Sequence, residues 1–231
     1  MNCHDPFYFF LIAFKFINNL FRTPLNGIIG IIDINSKSSD MELIEENRQK
    51  ARCAAQQLLS LLNEVLDMSR LEHGETVLTN ELFHLSELTA ALQDTMQIHA
   101  ADSGIILICD SYTVPSNCER VYGNPIYIQK IFFNIIENAI KYNRINGSVT
   151  VKTFTKDQHI YLTVADTGNG IPKDLRERVF EPFFRLDKSR SRELGGVGLG
   201  LALVHEIVRV HDGTIQVKDN PTGGTIFEVI F

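Results

Sequence analysis

The sequence predicts an α+β chain, with an antiparallel helical hairpin over residues 1–74 followed by an α/β layer over residues 75–231. Three observations predict it. Two long segments carry apolar residues at helical spacing, a short polar stretch separates them, and beyond His73-Gly74 short apolar runs alternate with turns.

The first helix is expected from about Phe9 to Asn35, interrupted by Pro24. Phe21, Leu25, Ile28 and Ile32 follow one another in steps of four, three and four, which draws a single stripe down a helix. Upstream, Phe7 to Phe21 is strongly apolar, yet the run before Lys15 is far shorter than the ~20 residues a spanning helix needs. It has no basic leader and no small-residue cleavage site, so it does not read as a signal peptide. The start of a core-packed helix is favoured over the remnant of a membrane-proximal segment. Ser36 to Asp40 reads as a turn. The second helix, Met41 to Glu72, repeats Ala51, Ala55, Leu58, Leu62 and Val65 at heptad spacing, with Glu45, Glu46, Arg48, Lys50 and Arg52 on its outer face. One pairing cannot cover both seams. Two hairpins forming a four-helix bundle can, which predicts a homodimer over a hairpin folded onto its own C-terminal half.

His73-Gly74 is expected to end the second helix, because glycine suits the residue just past a helix end. A linker with a strand then covers Val77 to Phe83, a helix Leu85 to Ala101, and a buried strand Ile105 to Cys109. Another helix runs from Gln129 to Asn143, followed by strands Ser148 to Lys156 and His159 to Asp166. A loop-rich stretch leads to a helix over Leu201 to Val210 and two final strands, Thr214 to Lys218 and Thr225 to Phe231. No repeat or low-complexity tract interrupts this order.

A net charge of −6 argues against a nucleic-acid backbone binder, which usually presents a basic surface. Cys3, Cys53, Cys109 and Cys118 form no C-x-x-C pair, so single thiols in a reducing compartment, the cytoplasm, are expected rather than a zinc site or disulfides.

The chemistry concentrates in a few segments. In Asn134-Ile-Ile-Glu-Asn138-Ala-Ile-Lys141-Tyr142, the residues Asn134, Asn138 and Lys141 fall at i, i+4 and i+7 and share one helix face. An amide oxygen is a hard ligand suited to Mg²⁺, and an ammonium suits nearby phosphates. Alone, this stripe reads better as a solvated polar face. Val164-Ala-Asp166-Thr-Gly168-Asn-Gly170-Ile171-Pro172 sets an acid at a strand end before a glycine-bracketed turn. Such an Asp can accept from an exocyclic amine such as adenine's while glycines let backbone approach the ring, although Asp-x-Gly also occurs in ordinary turns. Val179-Phe-Glu-Pro-Phe183-Phe-Arg185 and Gly195-Gly196-Val-Gly198-Leu199-Gly200 follow, the latter preceding a helix whose N-terminal amides can hold an anion. The glycine run lacks the Lys-Ser/Thr of a P-loop. Between them, Asp187 to Leu194, with Arg185, Lys188, Arg190 and Arg192, reads as a basic lid over phosphates or as a solvated loop.

In this order the segments resemble the N, G1, F and G2 boxes of two-component sensor histidine kinases, and Gly223-Gly224-Thr225 resembles the family's last glycine element. The resemblance covers residues ~75 to 231. It implies the α/β sandwich of mixed sheet and helices of the gyrase–Hsp90–kinase–MutL superfamily, with ATP and Mg²⁺ as cofactors. It further implies that Asn138 ligates Mg²⁺, Lys141 contacts phosphate, Tyr142 lines the nucleotide and Asp166 binds adenine. By the same resemblance Asn134, Gly168, Gly170, Ile171, Phe183, Arg185, Gly196, Gly198, Leu199, Gly200 and Thr225 belong to the nucleotide site. The superfamily's ATPases carry a Glu where this chain has Asn134, which cannot act as a general base near neutral pH. Phosphoryl transfer to a protein is therefore expected over dedicated hydrolysis.

The hairpin resembles the family's H box through Phe16-Ile-Asn-Asn-Leu20-Phe21-Arg22-Thr23-Pro24-Leu25-Asn26-Gly27. The family pattern places a Ser-His-Glu-like triplet between the positions of Leu20 and Phe21, and this chain has none. The phosphoacceptor histidine is thus absent, and neither His4 nor His73 stands where it would replace it. Three missing residues rotate the upstream helix by about 60° and shorten it by about 4.5 Å. Thr23 matches the position that helps orient water in dephosphorylating the partner. The resemblance implies a homodimer acting on a response-regulator receiver domain, with membrane contact only through a segment upstream of this chain and no receiver domain attached after the last strand.

Overall fold

The structure is a computed structural model and describes residues 6–72, 79–111, 120–157, 159–186 and 197–231. The chain divides into two compact units, residues 1–66 and 67–231.

The first unit is the hairpin of α1 (Pro6–Asn35) and most of α2 (Met41–Glu72). Pro24 lies inside α1, and the helix continues on both sides of it rather than breaking as expected. Proline removes one internal N–H bond, a loss that a ladder of 30 residues absorbs. Asp40 starts α2 by accepting from the backbone N–H groups of Glu42 (3.0 Å) and Leu43 (3.3 Å), two donors that no helical carbonyl could reach. Across the turn, the buried Asn47 donates to Asn35 Oδ1 (3.0 Å), while Asn35 donates to the Ile44 carbonyl (3.4 Å). This polar pair sets the register in which the two helices leave the turn. Beyond it the apolar seam stays open to solvent: Leu25, Ile29 and Ile32 on α1 and Leu59, Leu62 and Leu66 on α2 are 44–59% exposed.

The second unit holds a five-stranded sheet of order β2-β4-β5-β7-β6. The strands are β2 (Ile106–Ser111), β4 (Ser148–Lys156), β5 (His159–Asp166), β6 (Thr214–Asp219) and β7 (Thr225–Ile230). β2 runs parallel to β4, and every other pairing is antiparallel. A separate ribbon pairs β1 (Glu81–His84) with β3 (Arg120–Gly123), and β3 lies outside the expected strands. Helices α3 (Leu85–Asp102), α4 (Pro125–Lys141) and α5 (Gly200–Val210) complete the layer.

Alternation builds the core. Along β5 and β7 every second residue is buried, so one sheet face meets the helices and the other carries half-buried side chains such as the stacked Phe154 and Tyr161, 4.9 Å between ring centroids. Ile131 and Ile135 of α4, Val149, Val164 and Val229 of the sheet, and Val204 and Ile207 of α5 are wholly buried. The last turns of α2 join this core through Leu71, and Asp67 pairs with Lys130 of α4. β2 is not the fully buried strand expected. Leu107 is buried, but Ile106 and Ile108 are 62% and 46% exposed, because an edge strand presents its second face to water.

Helix α4 begins four residues earlier than its apolar pattern predicts. Asn124 accepts from the N–H groups of Ile126 and Tyr127 (3.1 Å each), and Pro125 occupies the first turn, where its missing N–H costs nothing. The Asn124 N–H donates to His211 Nε2 (3.2 Å), whose Nδ1 bonds the Ile207 carbonyl (2.8 Å), tying the start of α4 to the end of α5. Cys53 and Cys109 are free thiols. Cys3, His4, His73, Gly74 and Cys118 lie outside the described residues, as do the basic stretch from Asp187 to Leu194 and Gly195-Gly196.

Candidate functional site

Strand β5 ends at Asp166, and the chain packs backbone around that carboxyl. Oδ1 accepts from the N–H groups of Gly168 (2.7 Å) and Thr225 (3.2 Å), while the Asp166 carbonyl accepts from Asn220 Nδ2 (2.7 Å). Burial pushes the Asp166 carboxyl above its ordinary value, and the N–H groups of Gly168 and Thr225 oppose that rise. Two glycines make the enclosure possible. A Cβ on Gly168 would lie 2.5 Å from the Tyr142 carbonyl, and one on Gly224 would lie 2.3 Å from the Asp166 carbonyl and 2.4 Å from Oδ1. Gly224 also has φ +89°, which L side chains rarely adopt. Gly170 lies behind them against Gly224, and the Ile171 carbonyl accepts from Arg176 Nε (3.2 Å).

The wall beside Asp166 comes from the end of α4. Tyr142 caps this helix, its N–H bonded to the Asn138 carbonyl (3.0 Å), and is 43% exposed. Lys141 Nζ lies 5.6 Å from the centre of the Tyr142 ring. Burial pushes the Tyr142 phenol up, with the Arg185 charge lowering it and Glu137 raising it, which places the Arg185 guanidinium in the same neighbourhood. Arg185 Nε and one terminal guanidinium nitrogen are buried and, among the described residues, have no hydrogen-bond partner. Buried donors of this kind are rare unless a ligand completes them. Asn143 and Thr167 brace the floor: Thr167 Oγ1 donates to Asn143 Oδ1 (3.1 Å) and accepts from the Ser148 N–H (2.9 Å).

The half-buried Asn134 and Asn138 sit one helical turn apart on α4. Asn134 Nδ2 donates to the Lys130 carbonyl (2.8 Å), and a Cβ on Gly200 would lie 2.5 Å from Asn134 Oδ1, so α5 starts directly against this amide. Gly198 (φ +79°) locks to the preceding segment, since its carbonyl accepts from the Phe183 N–H (2.8 Å) and Phe183 itself has φ +64°. Leu199 is buried, and its carbonyl opens the ladder of α5 by accepting from Leu203 (2.8 Å).

The second unit therefore gathers Tyr142, Asp166, Gly168, Gly170 and Thr225 around one carboxyl, with Lys141 beside Tyr142 and the Arg185 charge acting on its phenol. Asn134 and Gly200 meet at the junction of α4 and α5, and Phe183 and Gly198 at the loop ahead of it. Gly196 lies outside the described residues. Thr23 is an exposed residue of α1, in the other unit. Sequence reasoning missed Asn143, Thr167, Arg176 and Asn220. The first two follow matched motifs directly, so proximity in the chain was a usable signal. Asn220 bonds a residue 54 positions away, and nothing local reveals that.

A mixed sheet backed by helices, with an acid-and-glycine pocket at the end of a central strand, defines the class of nucleotide-binding sandwich shared by histidine kinases, gyrase and Hsp90. Residues 123–231 match the family model described as histidine kinase-, DNA gyrase B- and HSP90-like ATPase, and residues 21–74 match the His Kinase A (phospho-acceptor) domain. The chain belongs to the two-component sensor histidine kinases. It is 31% identical over 211 residues to the circadian input-output histidine kinase CikA of Synechococcus elongatus, covering 90% of this chain and 28% of that protein. Full-length ShkA in complex with AMPPNP superposes with a TM-score of 0.71 at 26% identity, over 93% of this chain and 44% of that one. Histidine kinase ThkA in complex with the response regulator TrrA shares the fold, with a TM-score of 0.69 at 22% identity, over 93% of this chain and 59% of that one. The chain spans less than a third of the length of the first curated relatives it matches. Among the described residues, no helix is long and apolar enough to cross a membrane.

Proposed function

We propose that this chain is a histidine-kinase core that binds Mg·ATP through residues 75–231, dimerises through residues 1–74, and does not phosphorylate itself. The observation that carries the reading is Asp166. Among the described residues, both of its side-chain hydrogen bonds fall on Oδ1. Oδ2 is thereby left to accept from an exocyclic amine, and the glycines beside it bring backbone close enough to bound a flat base. Gly168, Gly170, Ile171 and Thr225 enclose the adenine, and Tyr142 lines the nucleotide.

The buried guanidinium of Arg185 fits an anion, since its unpartnered donors are of the kind that pair with phosphate oxygens. Lys141 adds a second cation. Asn138 offers Mg²⁺ its amide oxygen, and Phe183, Gly196, Gly198, Leu199 and Gly200 border the triphosphate. When bound, the Mg²⁺-nucleotide supplies the transferable phosphoryl group with its charge partly neutralised. Asn134 has no proton-accepting group of useful basicity and spends its N–H on the Lys130 carbonyl, so it does not activate water. This favours transfer to a protein over steady hydrolysis.

Within the family the acceptor is a histidine, and the phosphoryl group passes on to an aspartate of a response-regulator receiver domain. ThkA, which shares this fold, is known in complex with a response regulator. We assign the same partner class here, with a cytoplasmic location and no nucleic-acid partner. Thr23 is assigned a water-orienting role in removing phosphate from that partner. The acceptor triplet is missing between Leu20 and Phe21, so no nucleophile stands in the H box. That same gap favours one other reading, a non-catalytic dimeric scaffold whose ATP site regulates a partner by conformation.

Incubation with γ-labelled ATP separates these readings. The unaltered chain is expected to bind ATP in the presence of Mg²⁺ yet stay unlabelled, and insertion of Ser-His-Glu after Leu20 is expected to give acid-labile label. Label on the unaltered chain, or no nucleotide affinity, overturns the proposal. A repaired chain that binds ATP and stays unlabelled supports the scaffold.

A further inference from the structure

We propose that Asn220, in the turn between β6 and β7, is a positioning residue that fixes how Asp166 presents its carboxylate and thereby sets a preference for adenine over hypoxanthine. The inference rests on the reading of Asp166 as the group that meets the base.

The argument starts from the peptide unit joining Asp166 to Thr167. Its carbonyl accepts from Asn220 Nδ2 at 2.7 Å, and its N–H, on Thr167, donates to the Ser148 carbonyl at 3.1 Å. Both ends of the plane are therefore held, one by β4 and one by a turn 54 residues further along the chain. Holding that plane restrains ψ at Asp166, and the bonds of Oδ1 to the Gly168 and Thr225 N–H groups restrain its side-chain torsions, so together they set the line along which the carboxylate points. Strand pairing holds Asp166 on one side only, because it still pairs with Val149 of β4 while the register of β5 with β7 stops at Ala165–Ile226, one residue short of it. The amide of Asn220 takes over where the ladder ends.

The turn is stiff enough to act as a reference. Asn220 Oδ1 accepts from the Thr222 N–H (3.2 Å) and from Thr222 Oγ1 (3.0 Å). The Asn220 N–H donates to the Gly224 carbonyl (3.2 Å), and its own carbonyl accepts from Gly223 (2.9 Å). Asp219, next to it, pairs with Arg176, which also grips the Ile171 carbonyl on the far side of the pocket. The turn thus touches both edges of the glycine loop and, through Asn220, reaches the Asp166 backbone by a side-chain bond. A carboxylate aimed in one direction discriminates between bases, because adenine offers an amine at C6 where hypoxanthine offers a carbonyl.

The test compares ATP and inosine triphosphate binding by calorimetry, with Mg²⁺, for the full chain and three variants. Asn220→Asp keeps the shape and the Oδ1 acceptor but replaces the donor with an oxygen that faces the Asp166 carbonyl. Asn220→Ala removes the group altogether and serves if the first variant unfolds. Thr222→Ala loses only a bond internal to the turn. Both Asn220 variants are expected to weaken ATP roughly fivefold, with inosine triphosphate nearly unchanged, so the ratio of the two affinities falls. Thr222→Ala is expected to keep the ratio of the unaltered chain. An unchanged ratio in both Asn220 variants overturns the inference and leaves the Asp166 reading standing, and so does an equal fall in Thr222→Ala. If the unaltered chain binds ATP no better than inosine triphosphate, the Asp166 reading fails and the role of Asn220 falls with it.

Discussion

Asp166 has its carboxyl pushed above the ordinary value by burial, with the Gly168 and Thr225 N–H groups opposing. The sign follows from linkage. A carboxyl whose folded value is raised favours the protonated form, so its contribution to apo stability is present below the ordinary carboxylate value and is lost as pH rises through the raised one. Nucleotide binding runs the other way, because an amine donates best to the ionised form. ATP affinity is therefore expected to fall on acidification starting above the ordinary carboxylate range. Asp166→Asn is expected to bind weakly with that step removed. Calorimetric titrations across mildly acidic pH check this, and a step that survives in Asp166→Asn assigns it to another group. The identity of this residue was legible because an acid before Gly-x-Gly at a strand end has few roles. The orphaned donors of Arg185 were not, since only a packed structure shows which donors lack partners.

Elements were easier to read than their ends. The strands β4 and β5 and the helix α2 follow the expected bounds, because long periodic segments set between turn signals mark both of their ends. α4 shows the opposite case. Its apolar period begins near Gln129, while Asn124 and Pro125 start the helix earlier by satisfying its first amides. Asn124-Pro125 is a cap signal that lies ahead of the apolar period and is not part of it. Asn124→Ala is expected to cost about 1 kcal/mol, read as a lower urea midpoint at unchanged slope. A change in slope would mean instead that the variant alters how much surface unfolding exposes. Strand β3 escaped notice because a four-residue strand carries too little alternation to stand out, whereas its partner β1 was expected within the linker.

At the scale of the whole molecule, the hairpin leaves Leu25, Ile29, Ile32, Leu59, Leu62 and Leu66 substantially exposed, and Leu25, Ile32 and Leu62 among them belong to the stripes that predicted a four-helix bundle from sequence. The double variant Ile32→Glu with Leu62→Glu is expected to run as a monomer in sedimentation while the unaltered chain runs as a dimer. Dimers that persist in the variant would move the interface elsewhere. The fold class was legible because two periodicities, helical and alternating, change over near residue 75. The sheet order was not, since β2 pairs with a strand some forty residues away and no local signal selects that neighbour.

That parallel edge has a kinetic consequence. Hairpins β4–β5 and β6–β7 can close by local loops, whereas β2 must wait for the intervening segment, α4 included, to cross the sheet and return. The edge strand beside β4 is thus the one whose docking reports that the intervening chain, with the helix carrying Asn134 and Asn138, has already found its place.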